Sequence, residues 1–183
     1  MTDVLTKRDL ERDVTETATK WGVALTELEF DVTEASLAQA TLANNDVLTQ
    51  LRDLGVKVAI DDFGTEYSSF DYLRSYGISH LKIAQSYINK SGDDPNRAAT
   101  IRAILNIARE LNIGVIAEGV ETQEQRELLV SSGSTTHAQG YYFSKAVDVA
   151  QAEALLRQGS VRPMTEEDET ALVTAPVPGQ SLD

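Results

Sequence analysis

The chain has 183 residues, of which 42% are hydrophobic, and its formal net charge is −13. This length and composition predict one globular domain with a single sizeable core. The negative charge excludes a DNA or RNA polymer as the main partner, because binding a phosphate backbone requires a basic face.

The sequence shows neither a targeting signal nor a membrane span. Residues 1–8 lack an apolar signal region, no stretch approaches the ~20 apolar residues of a membrane helix, and cysteine is absent. We therefore expect a cytoplasmic protein with no membrane partner. Residues 163–183 hold three of the four prolines and no lysine or arginine, which predicts a domain over 1–160 and a disordered acidic tail over 161–183.

Hydrophobic periodicity predicts strands that alternate with helices along the chain. The first helix covers 10–21, with Trp21 on its apolar face, and ends at Gly22. In chain order, the predicted strands cover 27–33, 56–61, 80–84, 114–117 and 138–143. The other predicted helices cover 47–54, 69–74, 97–111 and 122–129, and Asp148 caps a last helix whose apolar face is Ala154, Leu155 and Leu156.

This order of elements is typical of a parallel sheet with helices outside it. A closed eight-stranded β/α barrel needs ~250 residues, and only about five strands are predicted here. The fold class is therefore α/β, an incomplete (β/α) TIM-type barrel of about five parallel strands with outer helices.

Two adjacent carboxylates, Asp61 and Asp62, end the second predicted strand, and Gly64 begins a turn two residues later. Two ionised aspartates repel each other in a cleft, and the usual remedy is a divalent cation bound to both or a raised pKa on one of them. This pattern predicts a metal site at the tip of a buried strand.

Other polar residues fall near the same ends of neighbouring strands, where parallel β/α folds gather their functional groups. Asp31 is predicted to end the first strand, Lys82 lies on the third, Glu118 ends the fourth and Gln139 starts the fifth. Oxygen ligands of this kind suit Mg²⁺, Mn²⁺ or Ca²⁺ better than zinc, and two-metal phosphodiester hydrolysis uses such a set. The alternatives are a rim ion pair for Lys82 and a helix cap for Glu118.

Five ordered segments of this sequence resemble the EAL domain family, the cyclic di-GMP phosphodiesterases of bacteria. The segments are FDVTE at 30–34, DDFGTEYSS at 61–69, LKI at 81–83, AEGVE at 117–121 and QGYYFSK at 139–145. The resemblance implies that Asp31 and Asp61 ligate one metal, that Asp61, Asp62 and Glu118 serve a second, and that Lys82 contacts the attacking water. It also implies that Gln139 belongs to this site and that Glu34 anchors the loop carrying Thr65 and Glu66.

The sequence also departs from the family pattern. The name-giving Glu-Ala-Leu ligand and an asparagine ligand are expected on earlier strands that this chain does not have. Asp31 replaces a longer glutamate, Glu66 a loop glycine, Ala84 an aspartate and Ala146 a proline. Because hard-cation sites depend on ligand count, these departures imply weak Mg²⁺ or Mn²⁺ binding.

Three functions stay open. The first is a degenerate, non-catalytic EAL-like module that binds a protein partner or forms a dimer, with weak binding of cyclic di-GMP. The second is a cyclic di-GMP phosphodiesterase whose missing ligands come from another chain or an absent N-terminal segment. The third is a cyclic di-GMP receptor without catalysis.

Overall fold

The structure, a computed structural model, describes residues 9–42, 46–64, 73, 76–89, 95–131 and 136–159. Several predictions therefore lie outside the described residues: the tail over 161–183, the loop positions Thr65 and Glu66, and all of the helix over 69–74 except Leu73.

The described residues form one parallel five-stranded sheet. Its strands are β1 (Glu29–Thr33), β2 (Lys57–Phe63), β3 (His80–Ile83), β4 (Gly114–Ala117) and β5 (Thr136–Ala138), and they pair in chain order. In this part of the chain, β1 and β5 each pair with one neighbour only, so the sheet is open. These findings confirm the predicted α/β class and incomplete barrel.

Seven α-helices connect or flank these strands within the described residues. They are α1 (Leu10–Trp21), α2 (Glu34–Leu42), α3 (Val47–Asp53), α4 (Gln85–Ile88), α5 (Pro95–Leu111), α6 (Gln123–Ser131) and α7 (Val149–Gln158). A short 3₁₀ helix, Leu25–Glu27, precedes β1. Residue 27, which we predicted to start the first strand, therefore belongs to this 3₁₀ helix.

The core lies between one face of the sheet and the helices. Along β3, the apolar Leu81 and Ile83 are fully buried, whereas the alternating His80 and Lys82 are only partly buried. Successive strand residues point to opposite faces. One face of β3 therefore packs into the core, and the other carries polar side chains.

Local capping explains where several helices begin and end. Gly22 closes α1 with a φ of 66°, a left-handed conformation that favours glycine. Asp148 caps α7, because its carboxylate accepts a hydrogen bond from the Gln151 backbone at 2.9 Å. At α6, the Gln125 backbone donates to Thr122 and the Gln125 side chain accepts from the backbone N–H of Thr122, which is a capping box.

Helices α2 and α4 were missed from the sequence. Helix α2 follows β1 without a linker, and its apolar residues show little helical periodicity. Its start is nevertheless marked, because the Thr33 hydroxyl accepts a hydrogen bond from the Ser36 backbone at 3.2 Å. Helix α4 has four residues, too few for a periodic pattern.

The predicted apolar face of α7 is not buried, and that of α1 is buried except at its end. On α1, Leu10, Val14 and Ala18 are buried, but Trp21 is 72% exposed. On α7, Leu156 is 80% exposed. Helix α7 has no buried residue. Sequence periodicity shows which side of a helix is apolar, but it does not show whether another element covers that side.

The fifth strand is shorter than the predicted range 138–143 and starts two residues earlier, at Thr136. It ends at Ala138, and Tyr141–Phe143 form a turn. His137 lies on this strand, and its ring packs edge-on against His80. Among the described residues, no helix combines the length and the apolar character needed to cross a bilayer.

Candidate metal centre

A bulge in β2 allows two adjacent aspartates to contribute to one site. The register between β2 and β3 shifts between Ile60 and Phe63, and Asp62 has a φ of 53°. In a regular strand, the side chains of Asp61 and Asp62 would point to opposite faces. In this structure, oxygen atoms of Asp61, Asp62 and Glu118 lie within 4.8 Å of one another. We call these three residues the carboxylate cluster.

Lys82 lies beside this cluster. Its Nζ is 2.8 Å from Glu118 Oε1, 3.1 Å from Asp61 Oδ1 and 2.7 Å from Asp31 Oδ2. Two members of the carboxylate cluster therefore share the Lys82 ammonium with Asp31, which belongs to β1. We predicted Asp31 at the end of its strand, but it lies in the middle of Glu29–Thr33.

The electrostatics of Lys82 follow from these contacts. Burial lowers the pKa of Lys82, but its contacts with Asp31, Glu118 and Asp61 outweigh burial and raise the pKa above its ordinary value. Lys82 is therefore a permanent cation at neutral pH, and it neutralises part of the negative charge around it.

One oxygen of the cluster is held by a single charged contact. Asp61 Oδ1 is buried, and among the described residues it is contacted by the Lys82 ammonium at 3.1 Å, without a well-aligned hydrogen bond. Because buried polar atoms are almost always hydrogen-bonded, this oxygen can accept a further ligand. A divalent cation fits it, since the three side chains of the carboxylate cluster all offer the hard oxygen donors that Mg²⁺, Mn²⁺ and Ca²⁺ prefer.

Gln139 contacts Glu118 because Gly140 lets the loop after β5 approach the loop after β4, which carries Glu118 and Val120. Gln139 follows β5 instead of starting it, and its Nε2 donates to Glu118 Oε1 at 2.9 Å. The next residue, Gly140, has a φ of 154°, and an added Cβ would lie 2.1 Å from the Val120 carbonyl oxygen. Only glycine permits this approach, which we did not foresee, although the Gln-Gly dipeptide was a visible signal.

Glu34 is buried at the first position of α2, directly after the end of β1. The structure places it one residue after Thr33, which pairs with Asp61 in the sheet. Its role as a loop anchor stays a prediction, because Thr65 and Glu66 lie outside the described residues.

The structure thus brings together Asp31, Asp61, Asp62, Lys82, Glu118 and Gln139, and their catalytic and metal-binding roles stay predictions. Asp31 is not part of the carboxylate cluster. The sequence Glu-Ala-Leu does occur at 153–155, but on α7, where Glu153 pairs with Arg157 at 3.4 Å.

Comparison with known proteins gives a family match. The family described as EAL domain matches residues 2–146. MucR of Pseudomonas aeruginosa, named a bifunctional diguanylate cyclase and cyclic di-GMP phosphodiesterase, is 39% identical over 124 residues, which are 68% of this chain and 18% of MucR. RocR of the same organism, named a cyclic di-GMP phosphodiesterase, is 33% identical over 141 residues, which are 77% of this chain and 36% of RocR.

Solved structures agree with this match. The MucR phosphodiesterase in complex with cyclic di-GMP superposes with a TM-score of 0.77 and 33% identity, covering 83% of this chain and 62% of that one. BlrP1 of Klebsiella pneumoniae, in a complex with manganese and cyclic di-GMP, gives a TM-score of 0.70 and 27% identity, covering 78% and 36%. The chain spans only 17%, 18% and 19% of three other curated relatives.

Proposed function

Because this chain belongs to the EAL domain family, we propose that it is a cation-binding module of cyclic di-GMP signalling in the cytoplasm. As the 183-residue polypeptide alone, it binds cyclic di-GMP weakly and does not hydrolyse it. The observation that carries this proposal is the carboxylate cluster. Among the described residues, it is the one group of three acidic side chains close enough to hold an ion.

The proposed ligands are Asp61, Asp62 and Glu118, which would hold Mg²⁺ or Mn²⁺. A bound cation of this kind neutralises charge on a phosphate ester and lowers the pKa of a coordinated water. Two other residues position the groups around the cation. Gln139 orients Glu118 through its amide N–H, and Asp31 holds the Lys82 ammonium beside the cluster.

The absence of hydrolysis follows from ligand count. Two-metal hydrolysis of a phosphodiester needs ligands for both ions and a bridging carboxylate between them. Here Asp31, the residue matching a ligand of the other ion, contacts Lys82 and lies outside the carboxylate cluster. The expected glutamate and asparagine ligands have no counterpart among the residues described. Three carboxylates can provide ligands for one metal ion, but they are too few for two metal ions.

The experiment is a titration of the chain with cyclic di-GMP, with Mn²⁺ or with EDTA, in which calorimetry follows binding and chromatography follows nucleotide breakdown. We expect Mn²⁺ to bind the wild-type chain and not Asp61→Ala, while the nucleotide stays intact. Breakdown that Asp61→Ala abolishes would refute the non-catalytic proposal. Nucleotide binding that is equally strong in EDTA would instead identify a receptor that needs no cation.

A second candidate function is hydrolysis with ligands supplied from elsewhere. The observation that favours it is that Lys82, Gln139 and the carboxylate cluster lie together. A domain with only a structural role would not require all of these side chains at one site. A longer polypeptide or a second chain would then supply the other ligands. Hydrolysis appearing only when such a chain is added, and lost again on Asp61→Ala, would establish this function.

We also propose that the module self-associates as a dimer or binds a protein partner. The open sheet and the exposed Trp21 and Leu156 support this proposal, because unpaired strands and exposed large apolar side chains are commonly covered by another chain. Sedimentation velocity tests the dimer, and a stable monomer at micromolar concentration would contradict it.

We further propose that the folded part of the chain ends near residue 160.

A further inference from the structure

The Lys82 ammonium occupies a position between three carboxylates. Its side chain is 13% exposed, and its Nζ lies 2.7 to 3.1 Å from oxygens of Asp31, Asp61 and Glu118. Such short contacts to three anions mean that Lys82 already supplies positive charge where a cation is proposed to bind.

Two of these three partners are members of the carboxylate cluster. Lys82 contacts one oxygen of each of these carboxylates, Asp61 Oδ1 and Glu118 Oε1. A divalent ion would therefore either take that oxygen from Lys82 or bind the second oxygen and share the charge of the carboxylate with the ammonium. A divalent ion next to an ammonium is also repelled, because like charges a few ångströms apart in a partly buried site raise each other's energy.

We propose that Lys82 is an internal counter-cation of the carboxylate cluster that competes with a divalent ion for Asp61 and Glu118. The proposal rests on the cation binding of the proposed function and adds the residue that limits its affinity. Removal of the Lys82 ammonium should therefore tighten metal binding.

Asp31 gives the displaced ammonium a place to remain. It contacts Lys82 at 2.7 Å, it belongs to a different strand from Asp61, and it is not a member of the carboxylate cluster. A metal ion entering the cluster would then weaken or break two contacts of Lys82, while the third holds the ammonium nearby.

The opposite role is equally definite. If Lys82 served to preassemble the ligands, its removal would let the like-charged carboxylates separate and would weaken metal binding. The two roles therefore predict opposite changes in affinity, and a binding measurement without any catalysis distinguishes them.

The experiment compares wild type, Lys82→Met, Lys82→Arg and the control Lys57→Met by Mn²⁺ titration, with free Mn²⁺ followed by electron paramagnetic resonance. Lys57 is exposed at the start of β2, the strand that carries Asp61, and lies ~13 Å along it from the cluster. We expect Lys82→Met to bind Mn²⁺ about tenfold more tightly. Lys82→Arg and Lys57→Met should stay within about threefold of wild type, because they keep the local charge or remove a distant one.

Thermal unfolding supplies a second readout. In EDTA, Lys82→Met should unfold at a lower temperature than wild type, because its carboxylates lose their counter-charge. Saturating Mn²⁺ should raise its unfolding temperature by more than that of wild type. If the variant does not fold in EDTA, amine modification of wild-type protein is used instead. Mn²⁺ should then speed modification of Lys82 but not of Lys57.

Several results would overturn the competition. They are equal or weaker Mn²⁺ binding by folded Lys82→Met, slower or unchanged modification of Lys82 with Mn²⁺, or no Mn²⁺ binding by either protein up to about 10 mM. Hydrolysis of cyclic di-GMP by the wild-type chain would refute the non-catalytic proposal but leave the competition intact, so the two failures are distinguishable.

Discussion

The contact between Gly140 and Val120 connects the fold to the candidate site, and Gly140→Ala tests it. An alanine Cβ at position 140 would lie 2.1 Å from the Val120 carbonyl oxygen and 2.3 Å from its nitrogen. Both atoms belong to the backbone, so a side-chain rotation cannot relieve the clash. The two loops must therefore separate.

The cost follows from the contacts that this separation breaks. Val120 donates to the Gln139 carbonyl oxygen at 3.0 Å, and Tyr142 donates to the Val120 carbonyl oxygen at 3.0 Å. Each backbone hydrogen bond contributes ~1 kcal/mol net, and the positive φ at residue 140 adds ~1 kcal/mol for alanine. We expect a loss of about 3 kcal/mol in the free energy of unfolding.

Gly159→Ala is the matched control. Gly159 also has a positive φ, of 73°, but an added Cβ has nothing within 4 Å. This variant should lose only the conformational term of ~1 kcal/mol. The difference between the two variants isolates the close approach of the backbones.

The assay is urea unfolding followed by circular dichroism. With a slope of ~2 kcal/mol per molar urea, Gly140→Ala should lower the midpoint by about 1.5 M. Mn²⁺ affinity should fall as well, because Gln139 moves with the loop that holds it against Glu118. If Gly140→Ala and Gly159→Ala lose the same free energy within about 1 kcal/mol, the reasoning is refuted.

Three further predictions concern the core and the site. Leu81→Ala, at a fully buried position of β3, should lower the free energy of unfolding by about 2 to 5 kcal/mol in urea, whereas Leu156→Ala on the exposed face of α7 should change it by less than about 0.5 kcal/mol; equal losses would contradict the assigned core. The raised pKa of Lys82 means that its charged form stabilises the folded state. This stabilisation is fully present at pH values below the ordinary lysine pKa of ~10.4, and it is lost as the pH rises from there through the higher pKa of Lys82 in the folded state. Stability measured by urea unfolding should thus fall more steeply above pH ~10.4 in wild type than in Lys82→Met, and parallel curves would contradict the ion-pair network. Gln139→Ala should weaken Mn²⁺ binding about tenfold by releasing Glu118, while unchanged affinity in a titration would show that Gln139 does not orient it.

The sequence predicted the order of strands and most helices because apolar periodicity and capping residues act locally. The strand over 114–117, the start of α1 at Leu10 and the cap at Asp148 all agree with the structure. The prediction missed α2, where the local signal was weak. It also misplaced the end of the fifth strand, which stops before Gln139, where the segment after β5 packs against the segment after β4.

The candidate site was located from the sequence through one rule, that functional residues gather at the carboxyl ends of parallel strands. That rule identified Asp61, Lys82 and Glu118 as neighbours although they are far apart in the chain. It did not reveal the β2 bulge, since Asp62 at a positive φ is indistinguishable from a regular strand residue by pattern alone.

The sequence by itself therefore determined the class of fold and the residue types that the candidate site contains, because hydrophobic spacing and residue type are local properties. Tertiary structure alone decided which carboxylates share the Lys82 ammonium, how Gln139 reaches Glu118, and which apolar faces stay uncovered. Those outcomes depend on strand register and on backbone approaches across the sheet, and both are set by the packing of segments distant in the chain.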